Sequence, residues 1–201
     1  MKLMILKKTI IRVLGTALFL FTTFSILLLS IIRASFENIS KADNLETSRT
    51  IPIEITIRYP NNDSEVFLYK IPHARITANH PFYIFKTIRE HYWLTFSKGY
   101  YAKSKMALFL GDKKISESII LFKEGKVDLA TSTAKDAFDK LEYAQFLFDK
   151  SGKIKSDELQ LKIARAGITY QQILKSNYVK NDNLNNLIGK INAWNESQNH
   201  R

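Results

Sequence analysis

The 201-residue chain contains no cysteine. Disulfides, thiolate metal sites and cysteine nucleophiles are therefore excluded, while the compartment stays open. Histidine is scarce at four residues, which thins out the commonest metal ligand and general base. Glycine and proline number only seven and four, so long stretches run free of helix-breaking residues. Anions are in deficit, with 19 acidic residues against 30 basic ones and a net charge of +11. The deficit is sharpest at the N-terminus. Residues 1–33 hold five cations (Lys2, Lys7, Lys8, Arg12 and Arg33) and no anion, which leaves 25 cations against 19 anions in the rest. That remainder is mildly basic, short of a polybasic arm. Its aromatic and basic residues are not interleaved as in a binding module, so no nucleic-acid partner is expected.

What the N-terminus has is an uncharged run. Val13 to Ile32 reads VLGTALFLFTTFSILLLSII, with only threonine and serine as polar members. Twenty helical residues span about 30 Å, the thickness of a bilayer's hydrocarbon core. Threonine and serine hydroxyls can bond back to helix carbonyls and so cost little in lipid. The run exceeds the apolar core of a secretory signal, about 7–15 residues, and no A-x-A cleavage pattern follows it. The reading is an uncleaved single-pass anchor in the plasma membrane. Four cations in the first twelve residues keep the N-terminus cytoplasmic and send the rest across. The expected organisation is a cytoplasmic tail (1–12), a transmembrane helix (13–32), a polar linker (34–50), a β-hairpin (51–71) and an extracytoplasmic helical bundle (72–201).

Beyond the linker, Ile51, Ile53, Ile55, Ile57 and Tyr59 alternate with polar residues, the period of a strand with one buried face. PNNDS is a turn cluster, and Phe67, Tyr69 and Ile71 continue the buried face. A two-stranded hairpin is marginal alone, so it must pack on helices. The first helix is expected to enter at His80-Pro81. Phe85, Ile88 and Tyr92, widened by Ile84 and Phe96, recur at helical spacing and predict its core face. Lys86 and Glu90 would pair on the opposite, solvated side. On that reading Phe85→Ala removes a buried ring and costs about 3–5 kcal/mol. A second helix is predicted from Tyr101 to Lys123 through Ala102, Met106, Phe109, Ile115, Ile119 and Phe122, with a bend or fray at Gly111. The third is the cleanest: Val127, Ala130, Ala134, Ala137, Leu141, Ala144 and Phe148 follow alternating spacings of three and four. Ser151-Gly152 supplies its stop. A fourth helix is capped by Ser156 and buries Leu159, Ile163, Ala166, Tyr170 and Ile173. A fifth follows from Asp182 through Leu184, Leu187, Ile191 and Trp194. The fold class is mainly α: a membrane helix, a small hairpin, then an antiparallel bundle of four to five helices.

The segments YKIPHARITANHPFYIFKTIRE, YYAKSKMALFLGDKKISESIILFKEGK, DLATSTAKDAFDKLEYAQFLF and SGKIKSDELQLKIARAGITYQQIL together resemble a bacterial family of membrane-anchored extracytoplasmic proteins known as "domain of unknown function 5667". The likeness covers roughly residues 69–176. GDKKIS at 111–116 departs from it, since the family's second helix runs unbroken there. The resemblance implies export, anchoring and a helical bundle, and brings no catalytic residues.

No catalytic, cofactor-binding or metal-binding residue is nominated. His80 and His91 lie eleven residues apart, about 16 Å along a helix, too far to share one ion. His80 reads as a helix-start residue and His91 as solvent-facing. H-E-x-x-H, G-x-S-x-G, Walker and G-x-G-x-x-G patterns do not occur. Residues 81–127 carry nine cations and four anions, whereas 128–150 carry three cations and five anions. The plain reading is complementary solvated faces. The sharper one is a basic surface near anionic lipid headgroups or wall polymers. A non-enzymatic envelope protein is expected, bound to the bilayer through 13–32 and to an envelope protein or anionic polymer. The alternative is a sensor acting through another membrane protein.

Overall fold

The computed structural model describes residues 15–16, 18–23, 25–26, 50–58, 64–152, 158–177 and 181–199. The chain divides into two units, Met1–Thr47 and Ser48–Arg201. In the first, the described residues are helical, and Leu18, Phe19, Leu20, Phe21 and Ile26 expose their apolar side chains. Thr22 Oγ1 and Thr23 Oγ1 donate to the Phe19 carbonyl at 2.9 and 3.0 Å. Both hydroxyls are thus satisfied inside the helix, as a run of this composition requires in an apolar setting. Among the described residues, no helix is long and apolar enough to cross a membrane. Half of the expected span 13–32 lies outside them, as do the tail 1–12, most of the linker 34–50, most of the hairpin turn and the Ser156 cap.

In the second unit, alternation of isoleucine with polar residues builds β1 (Thr50–Arg58), and β2 (Ser64–Pro72) pairs with it antiparallel, Ile53 opposite Tyr69 and Ile55 opposite Phe67. Ile55, Phe67, Tyr69 and Ile71 are buried on one face, while Val66 and Leu68 stay exposed on the other. Among the described residues five helices follow: α1 (Tyr83–Phe96), α2 (Gly99–Lys123), α3 (Val127–Lys150), α4 (Glu158–Ser176) and α5 (Asp182–Asn199). The unit is therefore mainly helical with a small hairpin.

The small residues of α3 let α2 come close. Ser104 Oγ donates to the Ala144 carbonyl at 2.7 Å, and Gly111 faces the Ala137 carbonyl one stretch further along, so the two helices run antiparallel. Ala130, Ala134, Ala137, Leu141, Ala144 and Phe148 are all buried, as the spacing predicts. Leu159, Ile163, Ala166, Tyr170 and Ile173 of α4 are buried too, as are Leu184, Leu187 and Ile191 of α5. Gly125 and Gly152, with φ of 75° and 67°, take the left-handed conformation that ends α2 and α3.

Two expectations need correction here. Helix α2 is unbroken through Gly111, because the glycine is a contact point with α3 and α4 and its lost propensity is offset by close packing. Its predicted seam is also wrong in part. Ala102 is exposed, Met106, Phe109, Ile119 and Phe122 are half-buried, and the inward positions include Ser104, Asp112, Lys114, Ser116, Glu117 and Ser118. A helix packed on several sides has no single apolar stripe to reveal it.

Glycines at the helix contacts should separate by sign. A Cβ at Gly111 would lie 2.9 Å from Tyr170 Oη and 3.1 Å from the Ala137 carbonyl, and one at Gly167 would run into the Trp194 ring and the Asn195 side chain. At Gly189 nothing lies within 4 Å. Gly111→Ala and Gly167→Ala are expected to lower stability by roughly 1–3 kcal/mol through overpacking. Gly189→Ala should raise it by up to about 1 kcal/mol through helix propensity. Thermal melts of the three variants check this, and a common sign would contradict the packing described.

Candidate interaction face

Helix α1 is built with two unlike sides, and the structure turns them opposite to the expectation. Lys86 and Glu90 are buried, each 7% exposed, whereas Phe85 is 66% and Ile84 62% exposed. Ile88, Tyr92, Phe96 and, just before the helix, Phe82 are exposed as well. At 100° per residue, Ile84, Ile88, Tyr92, Phe85 and Phe96 cover an arc of about 120° centred opposite the Lys86/Glu90 side. The apolar stripe is real, but it faces outward. Truncating Phe85 removes a ring mostly in solvent, so the core cost of about 3–5 kcal/mol does not apply to it.

The reason lies on α2. Its surface toward α1 carries Glu117, fully buried, and Lys114, 7% exposed. Glu117 needs cations, and α1 supplies Lys86, whose Nζ bonds Glu117 Oε1, lies 3.7 Å from Glu90 and donates to the Ile76 carbonyl at 3.0 Å. Lys114 Nζ lies 4.0 Å from Glu117 Oε2 and donates to the Tyr83 hydroxyl. Two ammoniums and two carboxylates make a neutral buried quartet. Breaking one member of such a group typically costs about 3–5 kcal/mol. Burial raises the Glu117 carboxyl above its ordinary range even against both lysines. Beside the quartet, the Arg89 guanidinium sits 4.7 Å and Lys113 Nζ 5.4 Å from the centre of the Trp93 ring. Lys113 is pushed down to about 8, chiefly by burial and then by the Arg89 charge.

His80 accepts the Phe82 N–H on Nδ1 at 3.2 Å and so shapes the turn into α1, which begins at Tyr83, later than the His80-Pro81 entry expected. His91 is exposed. The structure does not bring the two histidines together, and among the described residues no group of three or more His, Cys, Asp or Glu could hold a metal ion. An open groove between α3 and α5 carries charges of both signs, including Asp128, Lys135, Asp139 and Lys190.

A second buried polar group, which sequence reasoning missed, joins the hairpin to the helices. Asp112 Oδ1 accepts from Tyr69 at 3.0 Å and from Tyr170 at 2.9 Å. Asp112 is 3% exposed, and burial lifts its carboxyl to about 7 despite the two hydroxyl donors. Both tyrosine hydroxyls are themselves pushed well up, first by burial and then by the carboxylate charge. Its partners stand 43 and 58 residues away in sequence, so only the fold could reveal them.

That carboxyl gives a signed pH dependence. The native state keeps its proton up to about pH 7, whereas the unfolded chain releases it near the ordinary value of about 4. Its contribution is thus fully present below about pH 4 and is lost as pH rises toward 7, at about 1.4 kcal/mol per pH unit and ~4 kcal/mol in all. Asp112→Asn cannot ionise and should gain on the parent by that order across the same range. Urea unfolding of both proteins at pH 4.5, 6 and 7.5 checks it, and parallel stability curves would contradict the assignment.

Comparison with family models finds no match for the chain, and comparisons with curated proteins and with solved structures find none either.

Proposed function

We propose that this chain is a membrane-anchored cell-envelope protein with a binding role rather than an enzymatic one. Residues 13–32 would form the anchor, with the short tail in the cytoplasm and the domain after the linker on the far side. The uncharged composition of that run and its internally bonded threonines support the anchor. The positive N-terminal flank supports the orientation.

The binding reading is carried by one observation, the outward apolar face of α1. Five large apolar side chains on 14 helical residues point to solvent while a lysine and a glutamate are turned inward. Single exposed hydrophobics are ordinary on protein surfaces, but a contiguous apolar face is usual only where something covers it. The neutral quartet beneath holds the face in place without consuming it. In this reading α1 is a presented helix, and the hairpin and α2–α5 are its support.

A photo-crosslinking amino acid at position 88 of the full chain tests this in its native membrane. Irradiation should yield adducts with an envelope component at 88 and far fewer from the exposed position 139 on α3. Equal, low yields at both positions would sink the binding reading. Protease added to spheroplasts should remove the domain after residue 34, and its protection there, with cleavage after lysis, would overturn the orientation.

A further inference from the structure

The charge around α1 narrows what covers it. From His73 to Gly111 the chain carries six cations (Arg75, Lys86, Arg89, Lys98, Lys103 and Lys105) and one anion, Glu90. Glu90 and Lys86 are buried in the quartet. The charged side chains that this stretch itself exposes, Arg75, Arg89, Lys98 and Lys105 among them, are therefore cations, and the exposed Glu124 that accepts from Asn79 Nδ2 ahead of α1 is paired with Lys126 at 2.7 Å. On the helical wheel Arg89 borders the apolar stripe, and Lys98 follows two residues after α1 ends. Pairing two copies of this face would set like charge against like charge, which opposes a symmetric dimer.

The apolar residues point the same way. Phe82, Phe85, Tyr92 and Phe96 are aromatic, and Tyr92 and Phe96 stack with ring centres 5.9 Å apart. Aromatic and aliphatic side chains bordered by cations are the composition of a helix lying in a membrane interface. Such a helix sinks its apolar face about 5–10 Å toward the acyl chains while its cations meet anionic headgroups. We infer that the outer face of α1 docks on anionic headgroups in the outer leaflet of the membrane that anchors the chain, the leaflet the domain faces in the anchored reading. This rests on the anchored reading above. The linker 34–50 has 17 residues, a reach of at most about 60 Å, so the anchor would hold the domain at high effective concentration over that leaflet. One weak interfacial helix is then enough, because docking is intramolecular.

The lack of cysteine allows a direct test. The full chain carrying Ile88→Cys, labelled with the polarity-sensitive fluorophore NBD, is reconstituted into vesicles of phosphatidylcholine alone or with about one-third phosphatidylglycerol. Asp139→Cys is the control. In the anionic vesicles the label at 88 should emit to the blue, be quenched several-fold more by shallow doxyl lipids than in the neutral vesicles, and revert toward its aqueous emission at 0.5 M salt. The label at 139 should stay aqueous throughout. Aqueous, unquenched emission at 88 in anionic vesicles would overturn the proposal. So would equal quenching in both lipids, which removes the role of charge. A blue-shifted label that doxyl lipid does not quench would place protein on the face, overturning lipid docking while leaving the binding reading intact. Flotation of the labelled chain with the vesicles reports the anchor separately, and a chain that does not float would overturn the anchored reading itself.

Discussion

Glu117 is the residue on which the presentation of this domain depends. A carboxylate with no exposure cannot keep its charge without cations at contact distance, and desolvating it costs several kcal/mol unless they are supplied. Lys114 comes from its own helix, but Lys86 comes from α1. The ion pair therefore fixes which side of α1 faces inward. The outward stripe follows from that choice. Rolling α1 by half a turn would bring Phe85, Ile88 and Tyr92 against Lys113, Lys114 and Glu117. Burial of a large apolar side chain is worth about 1.5–3 kcal/mol only where the opposing surface is apolar. Here it would set rings on charges and leave Glu117 and Lys114 without Lys86.

Helix α2 carries both polar anchors of the unit. Asp112 and Glu117 are five residues apart, about 140° around the helix, so they serve different neighbours. Asp112 ties α2 to the hairpin through Tyr69 and to α4 through Tyr170. Glu117 ties it to α1. Between them, Ser116 Oγ accepts the Ala74 N–H at 3.1 Å, fixing the segment that runs from the hairpin to α1. Serine, alanine and glycine on α2 and α3 let the backbones approach, and the side chains of Ile115, Leu108 and Leu121 fill what remains. Charged groups are thus held at the joints of the bundle, and the apolar core lies mainly between α2, α3, α4 and the hairpin.

The parts legible in the sequence are those where polarity and depth agree. Ala130 to Phe148, Leu159 to Ile173 and Leu184 to Ile191 are apolar at the inward positions of the repeat, with only Thr131, Thr133, Gln145 and Thr169 as buried polar side chains beside it, so period alone finds the inward face. The same holds for Ile55 opposite Phe67 in the hairpin. In α1 period finds the stripe but carries no sign, because a helix covered from inside and one covered from outside have the same spacing. The Lys86/Glu90 pair looks like an ordinary exposed i,i+4 pair. The signal that could have reversed the assignment was on α2, where a 25-residue helix with serines, Asp112, Lys114 and Glu117 shows no clean apolar side. A central helix with buried polar positions needs polar neighbours, and α1 supplies one in Lys86. Gly111 misled for a related reason. In one dimension it is a weak helix former, while in the fold it is where Tyr170 and Ala137 come closest.

The orientation of α1 is the central claim, and hydroxyl-radical footprinting of the unsubstituted unit Ser48–Arg201 in solution, free of lipid, tests it most directly. Rates of side-chain oxidation follow solvent access, and Phe85 can be compared with Phe148, a core ring of the same chemistry. The account predicts that Phe82 and Phe85 are oxidised at close to the rate of an unfolded chain, and Phe148 at least about tenfold more slowly, at the rate set by opening of the core. Protection of Phe85 equal to that of Phe148 would mean that the apolar side of α1 is turned inward, and the presented face would not exist.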